Sequence, residues 1–268
     1  MPAAVGSLMR RAAVVLCLSL SWAASVAAQT PVAVPPTSPG FLSRYDFRLS
    51  AVTLSGDDPR FVWDTHFGGD LDLVDYVHGR VTLLADYETL LGSEFRSFDP
   101  NQSYYTLEAS SSVRAGGAEI AGAFHHVSRH LSDRPKSQAV AWNILEARLV
   151  RGFDFESGRL EVRASAGRVV QRSFVDYAWV AGLELLTRRS INGRFDLFAH
   201  GHGRMFGVDG TIAGRDAQTG GLIEAGLRVN GRAGAVELFA GFEKRPDASP
   251  LDWAAQRWAF VGFRLVGR

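Results

Sequence analysis

The feature that most constrains the fold is a regular alternation of apolar and polar residues in segments of ten to thirteen residues. In one such segment, Leu160, Val162 and Ala164 alternate with Glu161 and Arg163. A period of two residues places the two sets on opposite faces of a β-strand. Strands of soluble sandwiches usually have about five or six residues. A tilted strand that crosses a membrane needs about nine to eleven, so the pattern predicts transmembrane strands.

The number and spacing of these segments indicate a closed sheet. Short connections that favour hairpins, such as Gly116-Gly117 and Asn192-Gly193, follow segments of even number. Longer connections follow segments 3, 5, 9 and 11, whereas those after segments 1 and 7 are shorter. This asymmetry is typical of outer-membrane barrels, which have short periplasmic turns and long extracellular loops. We therefore predict an all-β fold, an antiparallel transmembrane β-barrel of about twelve strands. The segments lie near 44–54, 60–73, 79–91, 102–114, 118–128, 141–152, 158–171, 176–188, 194–206, 218–229, 235–245 and 256–266.

The N-terminus has the pattern of a cleaved secretory signal. Arg10 and Arg11 precede an apolar stretch at 12–20, and small residues follow at 23–28. The only cysteine, Cys17, lies in this stretch, so the mature chain is expected to have no thiol. We expect export, insertion by the barrel assembly machinery and an outer-membrane location. The predicted units are a signal peptide (1–28), a flexible periplasmic leader (29–40) and the barrel (41–268).

The charge balance argues against nucleic acid as a partner. Loss of Arg10 and Arg11 with the signal changes the formal net charge from +1 to −1, which leaves no basic excess for phosphate binding. The sequence contains no nucleophile elbow, no phosphate-binding loop and no dinucleotide-binding fingerprint. The partners that we expect are outer-membrane lipids; the oligomeric state stays open.

The face of the strands that points into the barrel carries most of the charge, and it supports two interpretations. Carboxylates are in excess, and arginines on neighbouring strands can pair with them. The first interpretation is a salt-bridged interior that keeps a narrow barrel rigid, with His200 and His202 as members of the network. The second is a narrow, cation-preferring pore whose selectivity would depend on Asp70 and Asp72. The residues that face inward by parity include Asp64, Asp70, Asp72, Asp86, Glu88, Glu108, Glu119, Glu146, Arg148, Glu161, Arg163, Glu184, Glu224, Arg228, Glu237 and Glu243.

Aromatic residues cluster near the segment ends, a distribution that favours interfacial girdles. They are Tyr45, Trp63, Tyr104, Tyr105, Trp142, Tyr177, Trp179, Trp253 and Trp258.

One stretch near the extracellular end of the fifth segment carries candidate catalytic residues. Parity places His126 and Ser128 on the same outward face as Phe124, and it places Asn143 of the sixth segment on that face too. A neutral imidazole two residues from a serine can act as its general base, and an amide can orient the imidazole. The sequence thus offers Ser128, His126 and Asn143 as candidate catalytic residues beside the outer-leaflet head groups. The activity of the barrel stays unassigned, and a structural, transport or adhesive role is the other interpretation.

This stretch resembles two groups of outer-membrane proteins. The pattern from His126 to Asp133, His-x-Ser-x-His-Leu-x-Asp, resembles a family of uncharacterised bacterial outer-membrane proteins known as a domain of unknown function. The His126-Val127-Ser128 unit is similar to the His-x-Ser of outer-membrane phospholipase A and of the lipid A deacylases. The phospholipase is a twelve-stranded barrel that hydrolyses phospholipid acyl esters with calcium.

This second resemblance implies an outer-leaflet lipid acyl-ester hydrolase with Ser128 as nucleophile, His126 as base and Asn143 as the orienting residue. It also implies calcium as a cofactor. The chain departs from the phospholipase directly after the serine, where Arg129 stands in place of the family's asparagine.

Two other interpretations of the same stretch remain open. A β-bulge at Gly122 would reverse the parity and turn His126 inward. His126, His130 and Asp133 could bind a metal ion, although we expect His130 to lie already in the loop.

Overall fold

The chain forms a closed antiparallel β-barrel of twelve strands in the described residues, 36–132, 139–249 and 252–267, of a computed structural model. The predicted signal peptide (1–28), most of the predicted leader (29–40) and Asp133 lie outside these ranges. The strands are β1 (Gly40–Leu54), β2 (Trp63–Asp75), β3 (Arg80–Gly92), β4 (Asp99–Ala115), β5 (Ala118–Leu131), β6 (Val140–Phe155), β7 (Gly158–Ser173), β8 (Tyr177–Ser190), β9 (Phe195–Val208), β10 (Gln218–Asn230), β11 (Gly234–Arg245) and β12 (Gln256–Gly267).

Each strand pairs with its neighbours in sequence, and β1 pairs with β12 to close the sheet. The closing register runs from Arg48 opposite Val266 to Leu54 opposite Phe260. Closure leaves no unpaired edge, which is a condition for a sheet in lipid. The predicted fold class and the predicted count of twelve strands are confirmed.

The connections at one end of the barrel are all short, and the long ones lie at the other end, together with the short β7–β8 connection at 174–176. Gly116 and Gly117 join β4 to β5 with φ of 58° and 77°, a left-handed conformation that glycine adopts without strain. The turn between β8 and β9 is held by Asn192, whose Oδ1 accepts hydrogen bonds from the backbone N–H groups of Arg194 and Phe195. The segments between β9 and β10 and between β11 and β12 are the longest connections at the other end. By the usual asymmetry, that end is extracellular.

The outer surface between the two ends is apolar. Within the described residues, no helix is long and apolar enough to cross a membrane. A broad exposed apolar surface is costly in water and suits contact with lipid. The fold is that of an outer-membrane β-barrel protein. Exposed outward side chains include Phe67, Leu83, Leu107, Ile120, Phe124, Leu145, Leu149, Leu183, Leu197, Leu238, Phe242 and Val261.

The interior is crossed by ion pairs, as the first interpretation of the inward charges predicts. Arg264 on β12 contacts Glu237 and Glu224, each at 2.9 Å. Arg148 on β6 contacts Glu108 at 3.1 Å and Glu146 at 3.0 Å. These arginines tie strands together along the inner wall, β12 to β11 and β10, and β6 to β4. Arg245 on β11 reaches further, to Asp64 on β2 and Glu88 on β3.

Four of the aromatic residues expected in the interfacial girdles lie instead inside the barrel, so this part of the prediction is wrong. Tyr104, Trp142, Tyr177 and Trp258 are at most 5% exposed. They occupy inward positions of their strands near the extracellular end, where side chains must fill the mouth of the barrel. Tyr177 packs against Trp142 at a centroid distance of 5.4 Å, and this contact belongs to an apolar cluster in the mouth. Proximity to a strand end therefore did not distinguish the lipid face from the inner face.

The segment between β11 and β12 folds back into this mouth. Ala248 is fully buried, and its carbonyl accepts a hydrogen bond of 3.0 Å from the Tyr104 hydroxyl. The carbonyl of Asp247 accepts one of 2.7 Å from Arg129. These contacts place backbone of the last loop across the extracellular opening.

The Asp247 side chain fixes the same segment from a second direction. Its carboxylate contacts the Tyr177 hydroxyl and Arg215, and Arg215 also contacts Asp176 at 2.8 Å. Burial acts to lower the pKa of Arg215, but the ion pairs with Asp247 and Asp176 outweigh burial and hold that pKa above its usual value. Arg215 is therefore a permanent cation that ties the β9–β10 connection to the loop in the mouth.

Candidate functional site

His126 and Asn143 lie directly opposite each other on neighbouring strands. The register of β5 and β6 pairs the two residues, and His126 Nδ1 lies 2.7 Å from Asn143 Oδ1. An amide oxygen only accepts, so Nδ1 carries the proton in this contact. Nε2 of the neutral ring then keeps its lone pair, which is the form that a general base requires.

The strand parity behind this pairing is uninterrupted at Gly122. Gly122 is opposite Ser111 on one side and Ala147 on the other, with no shift of register between it and His126. The bulge that would have turned His126 inward is therefore absent from this described stretch. His126 and Asn143 project from the same outer face as Phe124.

A bulge does occur on the other side of Asn143, and it adds a residue that the sequence did not indicate. The register of β6 and β7 shifts between Ile144, which pairs with Val169, and Asn143, which pairs with Gln171. The extra residue, Val170, brings Gln171 to the outer face. There the Asn143 Nδ2 donates a hydrogen bond of 2.9 Å to Gln171 Oε1. This second contact fixes which way the Asn143 amide points, with its oxygen toward His126.

Ser128 shares the outer face but is hydrogen-bonded to a different histidine. Its Oγ lies 3.3 Å from His130 Nε2. β5 continues to Leu131, so the expectation that His130 lies in the loop is wrong. The His130 ring also meets the Tyr105 ring edge-on at 5.2 Å between centroids. Ser128 is thus flanked on one strand face by two imidazoles, at two residues on either side.

The inward neighbours of these residues fix the strand from the opposite side. His125 lies 3.0 Å from Glu108 and 3.3 Å from Glu146. The Arg129 guanidinium lies over the rings of Tyr104 and Trp142, at 4.8 and 5.2 Å from their centroids. Inward anchors on either side of the outward positions hold the backbone that carries His126 and Ser128.

An apolar depression on the outer surface ends at His126. Its floor is formed by small residues, among them Gly68 and Ala85, and its walls include Phe67 and Leu107. It lies on the part of the barrel surface that faces lipid, between the site and the middle of the membrane. A hydrocarbon chain lying in it would bring its polar end to the level of His126.

Calcium does not fit the described surroundings of this site. Among the described residues, His130 and Gln171 are the further side chains with a hydrogen bond to this set: His130 contacts Ser128, and Gln171 contacts Asn143. Neither has a carboxylate, and calcium sites take six to eight oxygens that usually include carboxylates. We therefore derive no step through calcium. The alternative metal site of His126, His130 and Asp133 stays a prediction, because Asp133 lies outside the described residues.

Comparison with known proteins supports the fold. Outer-membrane phospholipase A from Escherichia coli is similar in structure, with a TM-score of 0.50 and 15% identity over 82% of this chain and 92% of that chain. The phospholipase dimer of Salmonella typhi with bound calcium is similar to the same degree, with a TM-score of 0.51 and 15% identity over 87% of this chain and 93% of that chain. At this identity the likeness shows a shared barrel architecture and nothing about activity.

No protein-family model matches the chain, and no curated protein matches it in sequence. The resemblance to an uncharacterised outer-membrane family therefore has no support from these comparisons.

Proposed function

We propose that this protein hydrolyses acyl esters of lipids in the outer leaflet, with Ser128 as nucleophile, His126 as general base and Asn143 as the residue that orients the imidazole. The observation that carries the proposal is the 2.7 Å contact between His126 Nδ1 and Asn143 Oδ1 on the lipid-facing surface, two residues from a serine on the same face. A hydrogen-bonded polar pair at this position is costly in lipid unless it meets head groups or reacts with them.

The proposed reaction has two halves. Ser128 Oγ attacks the ester carbonyl carbon while its proton passes to His126 Nε2, and the alcohol leaves with that proton as the acyl-serine forms. Water then attacks the acyl-serine, again losing a proton to His126, and the fatty acid and free Ser128 are released. In both halves Asn143 Oδ1 accepts from Nδ1–H and keeps the ring in one tautomer.

The hydroxyl must turn between two partners for this scheme. Ser128 Oγ rests against His130 Nε2 at 3.3 Å, and a rotation about its Cα–Cβ bond directs it to the other side, toward His126. We assign His126 as the base because Asn143 fixes its tautomer and leaves Nε2 to accept the proton. We assign His130 a positioning role.

The substrate class follows from the place of the site. The apolar depression below His126 suits an acyl chain, and the site lies near the extracellular end of β5. Outer-membrane lipids carry their ester bonds at this depth, between chains and head groups. We therefore propose outer-leaflet phospholipid or lipid A as the substrate.

The test is acyl-chain release from both lipids by the folded barrel in mixed micelles. Ser128→Ala and His126→Ala should each lose at least about a hundredfold of turnover. Ser111→Ala is the matched control, because Ser111 is also an exposed, outward-facing serine next to β5. His130→Ala should lose less than His126→Ala. Equal turnover in wild type and Ser128→Ala would remove the proposed site.

The cation-preferring pore has less support. Arg245 on β11 reaches into the lumen to Asp64 on β2 and Glu88 on β3, and the Tyr104–Ala248 contact holds the last loop in the mouth. Ion conductance of the protein in planar bilayers is the measurement that tests this function. A conductance that changes selectivity when Asp70 is neutralised would support a pore.

A further inference from the structure

Three inward side chains near the extracellular end of the lumen, Asp64, His66 and Glu88, converge in a way that the proposed hydrolysis does not use. Asp64 and His66 lie on β2, and Glu88 lies directly opposite His66 on β3. One potential ligand atom of each lies within 4.8 Å of the others. Asp64 and Glu88 are each 3% exposed, so the group is enclosed. We propose that these three residues form a binding site for a divalent transition-metal ion of the zinc type.

The spacing of the atoms suits such an ion. His66 Nε2 lies 3.1 Å from Asp64 Oδ1 and 3.9 Å from Glu88 Oε1. Two ligands bound at about 2.0–2.2 Å with tetrahedral angles are about 3.3 Å apart. The first distance is thus already that of two ligands of one ion. Glu88 Oε1 is farther away and also contacts Arg245, so the Glu88 carboxylate must rotate to offer its other oxygen, Oε2, to the ion. One imidazole nitrogen and two carboxylates leave a fourth position for water.

A buried oxygen that makes no hydrogen bond points to the same place. Asp64 Oδ1 is buried and takes part in no hydrogen bond, although His66 Nε2 is 3.1 Å away. An unsatisfied buried carboxylate oxygen is costly. A cation between Oδ1 and Nε2 would satisfy both atoms.

The charge balance also leaves room for a cation. The Arg245 guanidinium forms ion pairs with Asp64, Glu88 and Glu243, so these three carboxylates share one arginine charge. Arg245 contacts Asp64 at Oδ2, which leaves Oδ1 to the proposed ion. When His66 binds the ion as a neutral imidazole, two negative charges remain, and a divalent ion would neutralise them.

The far side of the imidazole has the support that metal-binding histidines usually have. His66 Nδ1 lies 3.4 Å from Asp86 Oδ2, and Asp86 is held in turn by Arg48 at 3.2 Å. A carboxylate on the second ring nitrogen fixes the tautomer and makes Nε2 the ligand atom. Calcium and magnesium prefer all-oxygen shells, so this set favours zinc over them.

The experiment is metal binding by the full refolded barrel in detergent. After chelation and dialysis, the protein is equilibrated with Zn²⁺, Co²⁺, Ca²⁺ or Mg²⁺, and bound metal is measured per chain. We expect one Zn²⁺ or Co²⁺ per barrel and less than a tenth of that occupancy with Ca²⁺ or Mg²⁺ at the same concentration. Zinc X-ray absorption of the wild-type protein should show one imidazole in the first shell.

Variants then identify the site. His66→Gln and Glu88→Gln should each weaken Zn²⁺ binding at least a hundredfold, and Asp86→Asn should weaken it about tenfold to a hundredfold. His200→Gln is the matched control, because His200 also lies between two carboxylates of the lumen, Glu184 at 3.0 Å and Glu224 at 3.5 Å. It should leave binding unchanged. Absence of stoichiometric Zn²⁺ in wild type, a shell without imidazole, or equal binding by wild type and His66→Gln would each overturn the proposal.

Discussion

Replacing Arg245 by methionine should be among the most damaging single changes to the stability of this barrel. Its guanidinium contacts Asp64 at 2.6 Å, Glu243 at 2.7 Å, and Glu88. It also lies 5.4 Å from the ring centroid of Trp258. Methionine keeps much of the side-chain volume but leaves three buried carboxylates without their common partner.

The expected loss is about 3–5 kcal/mol of unfolding free energy, which is the usual cost of removing one partner of a buried ion pair. The matched control is Arg159→Met, because Arg159 pairs at 2.8 Å with Asp154, whose side chain is 74% exposed. An exposed pair of this kind contributes at most about 1 kcal/mol. Urea unfolding in lipid vesicles, followed by tryptophan fluorescence with a chelator present, measures both. A loss below about 1 kcal/mol for Arg245→Met would refute the view that these ion pairs stabilise the interior.

Two further changes test the site and the mouth. Asn143→Ala should lower kcat for acyl release about tenfold to a hundredfold and leave KM nearly constant, because the lost hydrogen bond, worth about 1.4–2.7 kcal/mol, frees the His126 ring without changing contacts to lipid. Asn143→Asp keeps an acceptor and should recover most of the rate. Full activity of Asn143→Ala would contradict the orienting role. Asp247→Ala should release the last loop from Arg215 and Tyr177 and produce conductance in planar bilayers where the wild type is silent. Equal silence in both would show that other contacts close the mouth.

The sequence predicted the barrel well because its physical basis is local. In lipid each strand must present one apolar face, and Leu160, Val162 and Ala164 show this requirement directly in the order of residues. The Gly116-Gly117 and Asn192-Gly193 turns then fixed where strands begin. All twelve predicted segments coincide with the observed strands, and their ends differ by a few residues.

The site could be predicted only in part because it depends on register and on bulges. The pairing of His126 with Asn143 follows from counting residues along β5 and β6, the two strands joined by one extracellular loop. The position of Gln171 does not, because the extra residue Val170 has no signal in composition or turn chemistry. His130 was misplaced because β5 continues past the point where its apolar alternation ends.

The prediction that the interior aromatic residues lie in interfacial girdles was wrong for a related reason. Tyr104 and Trp142 are close to strand ends in the sequence, but their parity is inward, and the mouth they fill is closed by a loop more than a hundred residues away. Which loop folds into a barrel is decided by tertiary contacts such as that of Asp247 with Arg129.

The most direct measurement of the central claim is covalent labelling of the folded barrel with a serine-reactive fluorophosphonate, followed by mass spectrometry of the peptides. We predict one adduct, on Ser128, which His126→Ala abolishes and Ser111→Ala leaves intact. An adduct on another residue, or none on a barrel shown to be folded, would contradict the assignment of Ser128 as a nucleophile.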